Sequence, residues 1–265
     1  MRIVFNGDFS WFNVDSAGFE AVNRRVMEHV ALRGNVETEL AGESTAAGCG
    51  CSYPESVPDA EVERSNRLME TLRDAALGFP ELRRRLGALA MHAAVKVGNL
   101  RVAIVHGDCE SLAGWGLSQE ALADPARRLQ VERWFERARV SIIASSHSCL
   151  PVMMDFHLAG GRGVAINNGA AGMPNFQGRC HGVITRIACH ASQQVQPLYA
   201  ALLDGVHIEA LPVDYDCERW QREFLANWPL GSAAHASYYN RIAQGPSYTV
   251  YQAIRSHTES PQFQK

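Results

Sequence analysis

The chain has 265 residues, a formal net charge of −3 at pH 7 and a hydrophobic content of 46%, a balance typical of globular proteins. The near-neutral charge argues against nucleic-acid binding through a broad basic surface. No apolar run reaches the roughly 18 residues that a membrane-spanning helix needs, and the N-terminus lacks the features of a secretory signal.

The predicted elements of the first half alternate strands, helices and loops. They are a strand at 2–6, a helix at 17–29, a short apolar stretch at 30–32, a surface loop at 41–58, and helices at 59–77 and 80–92. Small residues with Gly, Ser and Pro indicate the loop, and Pro80 suits the first turn of its helix.

The second half is richer in predicted strands. They form a hairpin over 94–97 and 101–106, then strands at 140–144, 163–166 and 181–189 and a hairpin over 195–213, with helix-rich sequence over 118–138. No internal repeat or linker interrupts the chain. We therefore expect one domain spanning residues 1–265.

The cysteine content indicates a cellular compartment. Seven cysteines are an odd number, in a chain too long to need disulfide bonds for stability. This favours a reducing environment in which the thiols are buried or act as ligands. We therefore expect a cytoplasmic protein.

Polar side chains of metal-binding types follow several predicted strands. They are Asp8, Asn35, His106, His147 and Asn168. Each alone is more often a turn residue or an ordinary histidine, but ligands bind where the carboxyl ends of strands converge in α/β proteins. A carboxylate, an amide oxygen and two imidazoles suit Mn, Fe or Zn better than Ca or Mg.

The order of these residues resembles the calcineurin-like metallophosphoesterase superfamily from residue 2 to about 175. Gly7-Asp8-Phe9-Ser10 resembles its second block, and Gly34-Asn35-Val36-Glu37 its third. Ile104-Val105-His106-Gly107 resembles its fourth block. Ser146-His147-Ser148-Cys149-Leu150-Pro151 is similar to the fifth, and Asn167-Asn168-Gly169-Ala170 to the turn that follows.

The resemblance implies an α/β fold, a metallophosphoesterase-like sandwich of two mixed β-sheets flanked by helices. It implies a metal-dependent phosphatase or phosphoesterase that uses metal-bound hydroxide at a dinuclear site with two divalent transition metals (Mn, Fe or Zn). Asp8 would bridge the metals, and Asn35, His106 and His147 would complete the shell of one. Asn35 and Asn168 are the candidate substrate contacts, Asn168 at most in a supporting role. The expected partner is a small-molecule or protein phosphate ester.

Three positions depart from the family pattern. The Asp-x-His block, which should lie on a strand upstream of Arg2, is absent, so the domain is predicted to lack its first strand and two ligands of the second metal. Cys149 stands where a histidine is expected; it is a candidate metal ligand, because thiolates bind Zn or Fe, or else a small buried thiol. Val36 replaces a histidine that acts in the family as proton donor or phosphate contact. Loss of a proton donor would slow the chemistry by about 10²–10⁴-fold without preventing it.

These departures leave alternatives open. One explanation is that Met1 is an internal residue of a longer chain. The other is that the protein is a one-metal or non-catalytic descendant of the family. The alternative function is a catalytically impaired metallophosphoesterase-like protein that binds a phosphorylated ligand or partner. Gly48-Cys49-Gly50-Cys51 could hold plain thiols or part of a zinc site, or its loop could cover the cleft.

Overall fold

A computed structural model describes residues 1–42 and 48–255, which form eleven strands and eight α-helices. The strands are β1 Val4–Asn6, β2 Val30–Leu32, β3 His92–Val97, β4 Leu100–Val105, β5 Ile142–Ser145, β6 Pro151–Leu158, β7 Gly161–Asn168, β8 His181–Ala188, β9 Tyr199–Leu203, β10 Val206–Asp214 and β11 Ile254–Arg255. The helices are α1 Ser16–Val26, α2 Asn35–Ala41, α3 Asp59–Leu77, α4 Pro80–Gly87, α5 Gln119–Ala123, α6 Arg128–Ala138, α7 Cys217–Asn227 and α8 Ala233–Gln244.

The described strands form three sheets. A six-stranded mixed sheet has the order β11-β6-β7-β5-β4-β3, in which β4, β5 and β7 run parallel. A three-stranded antiparallel sheet has the order β8-β10-β9, and β1 pairs in parallel with β2. The prediction of an α/β fold with sheets flanked by helices is confirmed. The predicted architecture had two mixed sheets. Among the described sheets, only the six-stranded one is mixed.

The core sits on both faces of the six-stranded sheet. Successive side chains of a strand point to opposite faces, and Ile142 and Ile143 of β5 accordingly enter different clusters. Ile142 packs with Val183 and Ile208 of the three-stranded sheet, whereas Ile143 packs with Phe135 of α6. Because β5 is covered on both faces, its apolar residues follow one another without alternation.

Before residue 214, two elements were not predicted. Asn35, which taken alone is more often a turn residue, is the first residue of α2. Strand β6 pairs with β7 in an antiparallel hairpin, although its sequence lacks a clean alternation. The predicted helix at 80–92 ends at Gly87, because His92 already belongs to β3. The predicted loop at 41–58 includes residues 43–47, which lie outside the described residues.

The expectation of free thiols is corrected at four cysteines. Cys49 pairs with Cys51 and Cys180 pairs with Cys217 as disulfides, with Cα–Cα distances of 5.3 and 6.3 Å. These distances lie in the usual range for a disulfide. The remaining cysteines are free, namely Cys109, Cys149 and Cys189. None of the described helices is long and apolar enough to cross a lipid bilayer.

Residues of two strands with an unpaired edge line one cavity of about 1500 Å³. Among the described strands, β1 pairs only with β2, and β8 pairs only with β10. The apolar part of the cavity lining is here called the edge groove, and its side chains include Phe5, Val22, Val95, Val97, Ile184 and Ile187. Whether the domain lacks a first strand stays a prediction.

Candidate metal centre

The turn after β1 places Asp8 beside the start of α2. Gly7 and Asp8 both adopt the left-handed region, with φ of 82° and 55°. A Cβ at Gly7 would lie 2.6 Å from the Gly34 Cα and from His106 Nδ1, so only glycine fits there. The Asp8 carboxylate is held at Oδ1 by the backbone N–H of Val36, at 3.1 Å.

Four predicted ligands meet around one ring nitrogen. His106 Nε2 lies 3.0 Å from Asp8 Oδ2, 3.1 Å from Asn35 Oδ1 and 3.0 Å from His147 Nδ1. The ligand atoms of Asp8, His106 and His147 all lie within 4.8 Å of one another. We call these four side chains the acceptor group.

Backbone carbonyls determine which nitrogen of each imidazole carries the proton. His106 Nδ1 lies 2.6 Å from the Asn6 carbonyl oxygen, and His147 Nε2 lies 3.1 Å from that of Cys51. A carbonyl can only accept, so both of these nitrogens donate. In the neutral rings, the two nitrogens that face each other at 3.0 Å therefore both carry lone pairs.

The amide of Asn35 is oriented in the same way. Its Nδ2 donates to the Cys49 carbonyl oxygen at 2.9 Å, which turns Oδ1 toward His106. Two oxygen atoms and two nitrogen lone pairs thus converge with no donor between them. Such an arrangement is stable only around a cation, either a proton or a metal ion, and the mixed O/N set suits Mn, Fe or Zn.

The electrostatics of the acceptor group describe its metal-free form. Burial raises the pKa of Asp8, but the charges of His106 and His147 outweigh it and the pKa is lowered. Burial opposes protonation of His106 as well, yet Asp8 raises its pKa. Burial and the neighbouring His106 lower the pKa of His147 to about 4. In the metal-free form these shifts favour an ionised Asp8 beside His106 and a neutral His147.

The buried carboxylate of Glu37, for which no role was predicted from the sequence, supports the centre. Glu37 is completely buried and accepts hydrogen bonds from the backbone N–H groups of Asp8 at 2.8 Å and Phe9 at 3.2 Å. It also accepts from the N–H of Gly34 at 2.9 Å. Burial, followed by the charge of Asp8, raises the pKa of Glu37 to about 7. Its signal was present in the sequence, as the fourth residue of the Gly-Asn-x-Glu block.

The cysteine loop acts through its backbone. The Cys51 carbonyl accepts from His147 Nε2 and from Trp115 Nε1 at 2.9 Å, and the Trp115 ring packs edge-on against His147 at 5.3 Å. Together with the Cys49 carbonyl, this loop orients two of the predicted ligands. The zinc and thiol interpretations of Gly48-Cys49-Gly50-Cys51 are replaced by a disulfide pair.

Two predicted site residues lie beside the acceptor group. Cys149 Sγ donates to the His147 carbonyl oxygen at 3.3 Å, and burial raises its pKa. Asn168 donates through Nδ2 to the carbonyls of Gly169 and Val183, at 3.1 and 3.0 Å. Both line the same cavity as the acceptor group. The metal-ligand role of Cys149 and the substrate-binding roles of Asn35 and Asn168 stay predictions.

Asn6 connects the centre to the six-stranded sheet. Its Nδ2 donates to the Val105 carbonyl at 2.6 Å and to Ser146 Oγ at 3.1 Å, which ties the end of β1 to the end of β4. Its Oδ1 is buried and has no hydrogen-bond partner among residues 1–42 and 48–255. Asn6 is also one of the residues that line the cavity.

Two solved structures share the fold over most of the chain. A metallophosphoesterase from Sphaerobacter thermophilus matches with a TM-score of 0.53 and 14% identity, over 92% of this chain and 88% of that chain. A hypothetical protein from Pyrococcus horikoshii OT3 matches with a TM-score of 0.56 and 14% identity, over 92% of this chain and 85% of that chain. The sequence matches no protein-family profile and no curated protein. The fold is therefore metallophosphoesterase-like, and at this identity the comparisons establish the fold alone.

Proposed function

We propose that the protein is a metal-dependent phosphoesterase whose ion binds at the acceptor group. The observation that carries the proposal is the convergence of Asp8, Asn35, His106 and His147, with both imidazoles oriented by backbone carbonyls. The metallophosphoesterase-like fold supports the reaction class, and no other group of His, Cys, Asp or Glu within 1–42 and 48–255 has comparable spacing.

The residues present fit a divalent transition metal. When bound, Mn, Fe or Zn would supply Lewis acidity toward a phosphoryl oxygen and a water nucleophile at neutral pH. Asp8 would contribute its charge, and the carbonyls behind His106 and His147 would keep both rings in the tautomers that offer lone pairs.

The chain's own residues limit the acid catalysis available. Val36 is buried next to Asp8 and has no proton to donate to a leaving group. We therefore propose that hydrolysis favours esters whose leaving groups need little protonation. The substrate would be a phosphate ester of a small molecule or a protein.

A second candidate function rests on the number of ligand groups. The described residues offer one such group, whereas the predicted dinuclear site needs a second set of ligands. The second candidate is a protein that binds one metal ion and a phosphorylated ligand without hydrolysis. The dinuclear site itself stays a prediction.

The test combines metal analysis with Mn²⁺-stimulated hydrolysis of p-nitrophenyl phosphate. Asp8→Asn should lose bound metal and at least about 10²-fold in kcat/KM, because Asp8 supplies the charge at the centre. Asp15→Asn is the matched control, since Asp15 only caps α1 and asparagine caps equally well. Bound metal without turnover would select the binding protein. Absence of both metal and turnover in the unaltered chain would refute both functions.

A further inference from the structure

Beyond the acceptor group, the cavity lining includes several aromatic rings and two arginines, Arg2 and Arg241. The rings include Trp11, Tyr53, Trp115 and Tyr238. Arg241 belongs to α8, far along the chain from the other candidates, so no local sequence motif indicates its place in the cavity.

Arg241 is held in place through two of its three nitrogens. Nε donates to the Pro174 carbonyl at 3.0 Å, and Nη2 donates to the Cys149 carbonyl at 2.6 Å and to Asn175 Oδ1 at 3.3 Å. Nη1 makes no hydrogen bond to any residue that the structure describes. These contacts fix the plane of the guanidinium while leaving one end of its fork unused.

The charge of Arg241 is not balanced by a carboxylate. Of the ion pairs among residues 1–42 and 48–255, none includes Arg241, although the residue is partly buried. A partly buried guanidinium without an anion is costly, so the site favours an anionic ligand. Guanidinium is the group that best recognises phosphate, through parallel N–H donors.

The position of Arg241 connects it to the acceptor group. The residue that it holds, Cys149, in turn donates to the His147 carbonyl at 3.3 Å. Arg241 and the acceptor group therefore face one cavity across a single residue.

Aromatic rings form the adjoining wall. The rings of Tyr53 and Trp115 lie 5.6 Å apart, and Trp115 packs against His147 at 5.3 Å. The Tyr53 hydroxyl hydrogen-bonds to Ser65 Oγ at 2.9 Å, and this contact restrains the ring. Restrained rings on a cavity wall bind flat aromatic groups by offset or edge-to-face contact.

We propose that Arg241 binds the phosphoryl group of the ligand and that Trp11, Tyr53 and Trp115 contact an aromatic ring attached to it. The inference rests on the proposed function and narrows its substrates to phosphate esters with an aromatic leaving group. Aromatic leaving groups also depart without a strong proton donor, in keeping with Val36 beside Asp8.

Phosphonates test the inference, because they bind like phosphate esters but are not hydrolysed. Isothermal titration of the full chain in EDTA should give tighter binding of phenylphosphonate than of methylphosphonate, by about two- to tenfold. Tyr53→Leu should abolish that preference while leaving methylphosphonate binding unchanged. Equal affinity of the unaltered chain for both phosphonates would overturn the aromatic part.

Substitution of Arg241 tests the part of the proposal that concerns phosphoryl binding. Arg241→Met should raise the Kd of both phosphonates about tenfold to a hundredfold, and Arg241→Lys should have a smaller effect. Arg219→Met, which removes an exposed guanidinium from α7, makes the same change in net charge and should leave both Kd values unaltered. A folded Arg241→Met variant that binds phosphonate normally would overturn the proposal.

Hydrolysis and binding can fail separately. Arg241-dependent phosphonate binding with no hydrolysis of aryl phosphates would uphold the ligand site and refute the proposed function. Hydrolysis whose kcat/KM is unchanged by substitution of Arg241 and by removal of the substrate's aromatic ring would uphold the proposed function and refute the ligand site.

Discussion

At Glu37 one buried carboxylate holds three backbone amides, and through them the left-handed turn that presents Asp8. Its oxygens accept from the N–H groups of Asp8, Phe9 and Gly34. Gly34 must approach closely, because a Cβ there would lie 2.3 Å from Asp8 Oδ1. The geometry of the centre therefore depends on a residue that does not reach it.

Glu37→Gln tests this dependence. The amide nitrogen of glutamine would face backbone donors, so we expect the turn to loosen and the Kd for Mn²⁺ or Zn²⁺ to rise about 10–100-fold. The measurement is competitive metal titration. Glu20→Gln, which alters an exposed carboxylate of α1, should leave the Kd unchanged. Unaltered affinity in Glu37→Gln would show that Asp8 is positioned without it.

The depressed pKa of His147 predicts an acid-sensitive fold in the absence of metal. Burial lowers this pKa to about 4, whereas a histidine in the unfolded chain titrates near 6.5. Between these values the unfolded chain binds more protons than the folded one. Stability that is present above about pH 6.5 is therefore lost as the pH falls toward 4.

Urea unfolding in EDTA at pH 7 and pH 5 measures this loss. The midpoint of the unaltered chain should fall more between these pH values than that of His147→Gln, which lacks the titrating ring. Equal falls in both proteins would mean that His147 does not remain neutral in the folded state.

The site residues could be predicted to different degrees for physical reasons. The sequence singled out Asp8, Asn35, His106 and His147, which the fold brings close together, because side chains of metal-binding types follow strands there. The Cys49 and Cys51 carbonyls that orient two of them could not be found, because every residue has a carbonyl and only the fold decides which ones meet a ligand. The sequence could not indicate that Arg241 lines the same cavity, because it lies far along the chain from the other candidates.

Among the elements, those with a clear period or a clear boundary were predicted well. The hairpin predicted over 195–213 is formed by β9 and β10, and its turn is at Asp204-Gly205, with positive φ at both residues. Strand β6 was missed because its apolar and polar residues do not alternate, since it is covered on both faces. Helix α2 was missed because seven residues carry too little periodicity to be recognised.

Helix α6 shows how an element is held to the sheet. Phe135 is 1% exposed and packs against Phe156 of β6, with ring centroids 5.4 Å apart. We expect Phe135→Ala to lower the free energy of unfolding by about 3–5 kcal/mol through the cavity that it leaves.

Chemical denaturation measures this effect, and metal content should be unchanged because α6 does not reach the centre. Leu129→Ala is the control on the same helix, since Leu129 is 64% exposed and should change the free energy by less than about 0.5 kcal/mol. A similar cost at both positions would indicate that α6 is not docked as described.

In the whole molecule, the acceptor group joins parts that are otherwise separate. Asp8 and Asn35 come from the β1–β2 unit and its helix α2, whereas His106 and His147 follow β4 and β5 of the six-stranded sheet. A metal ion bound at all four would link the two units. Metal should therefore raise the thermal stability of the whole fold, by mass action on the native state.

The edge groove has a consequence for the behaviour of the protein at high concentration. Unpaired strand edges are templates for pairing with another chain, and natural proteins usually block them with charges or proline. Here β1 offers Val4 and Phe5, and β8 offers Ile184, which is 40% exposed. The charged residue in these two strands is Arg186 of β8, and its guanidinium is paired with Glu209.

We therefore expect self-association through these edges, with an average mass in light scattering that rises with concentration. Ile184→Lys should suppress the rise, because a charge at the edge would be buried on pairing. Leu129→Lys adds the same charge to an exposed site of α6 and should have no such effect. The unpaired edges of β1 and β8 would then limit the concentration at which the protein stays monomeric, unless another chain or a ligand covers them.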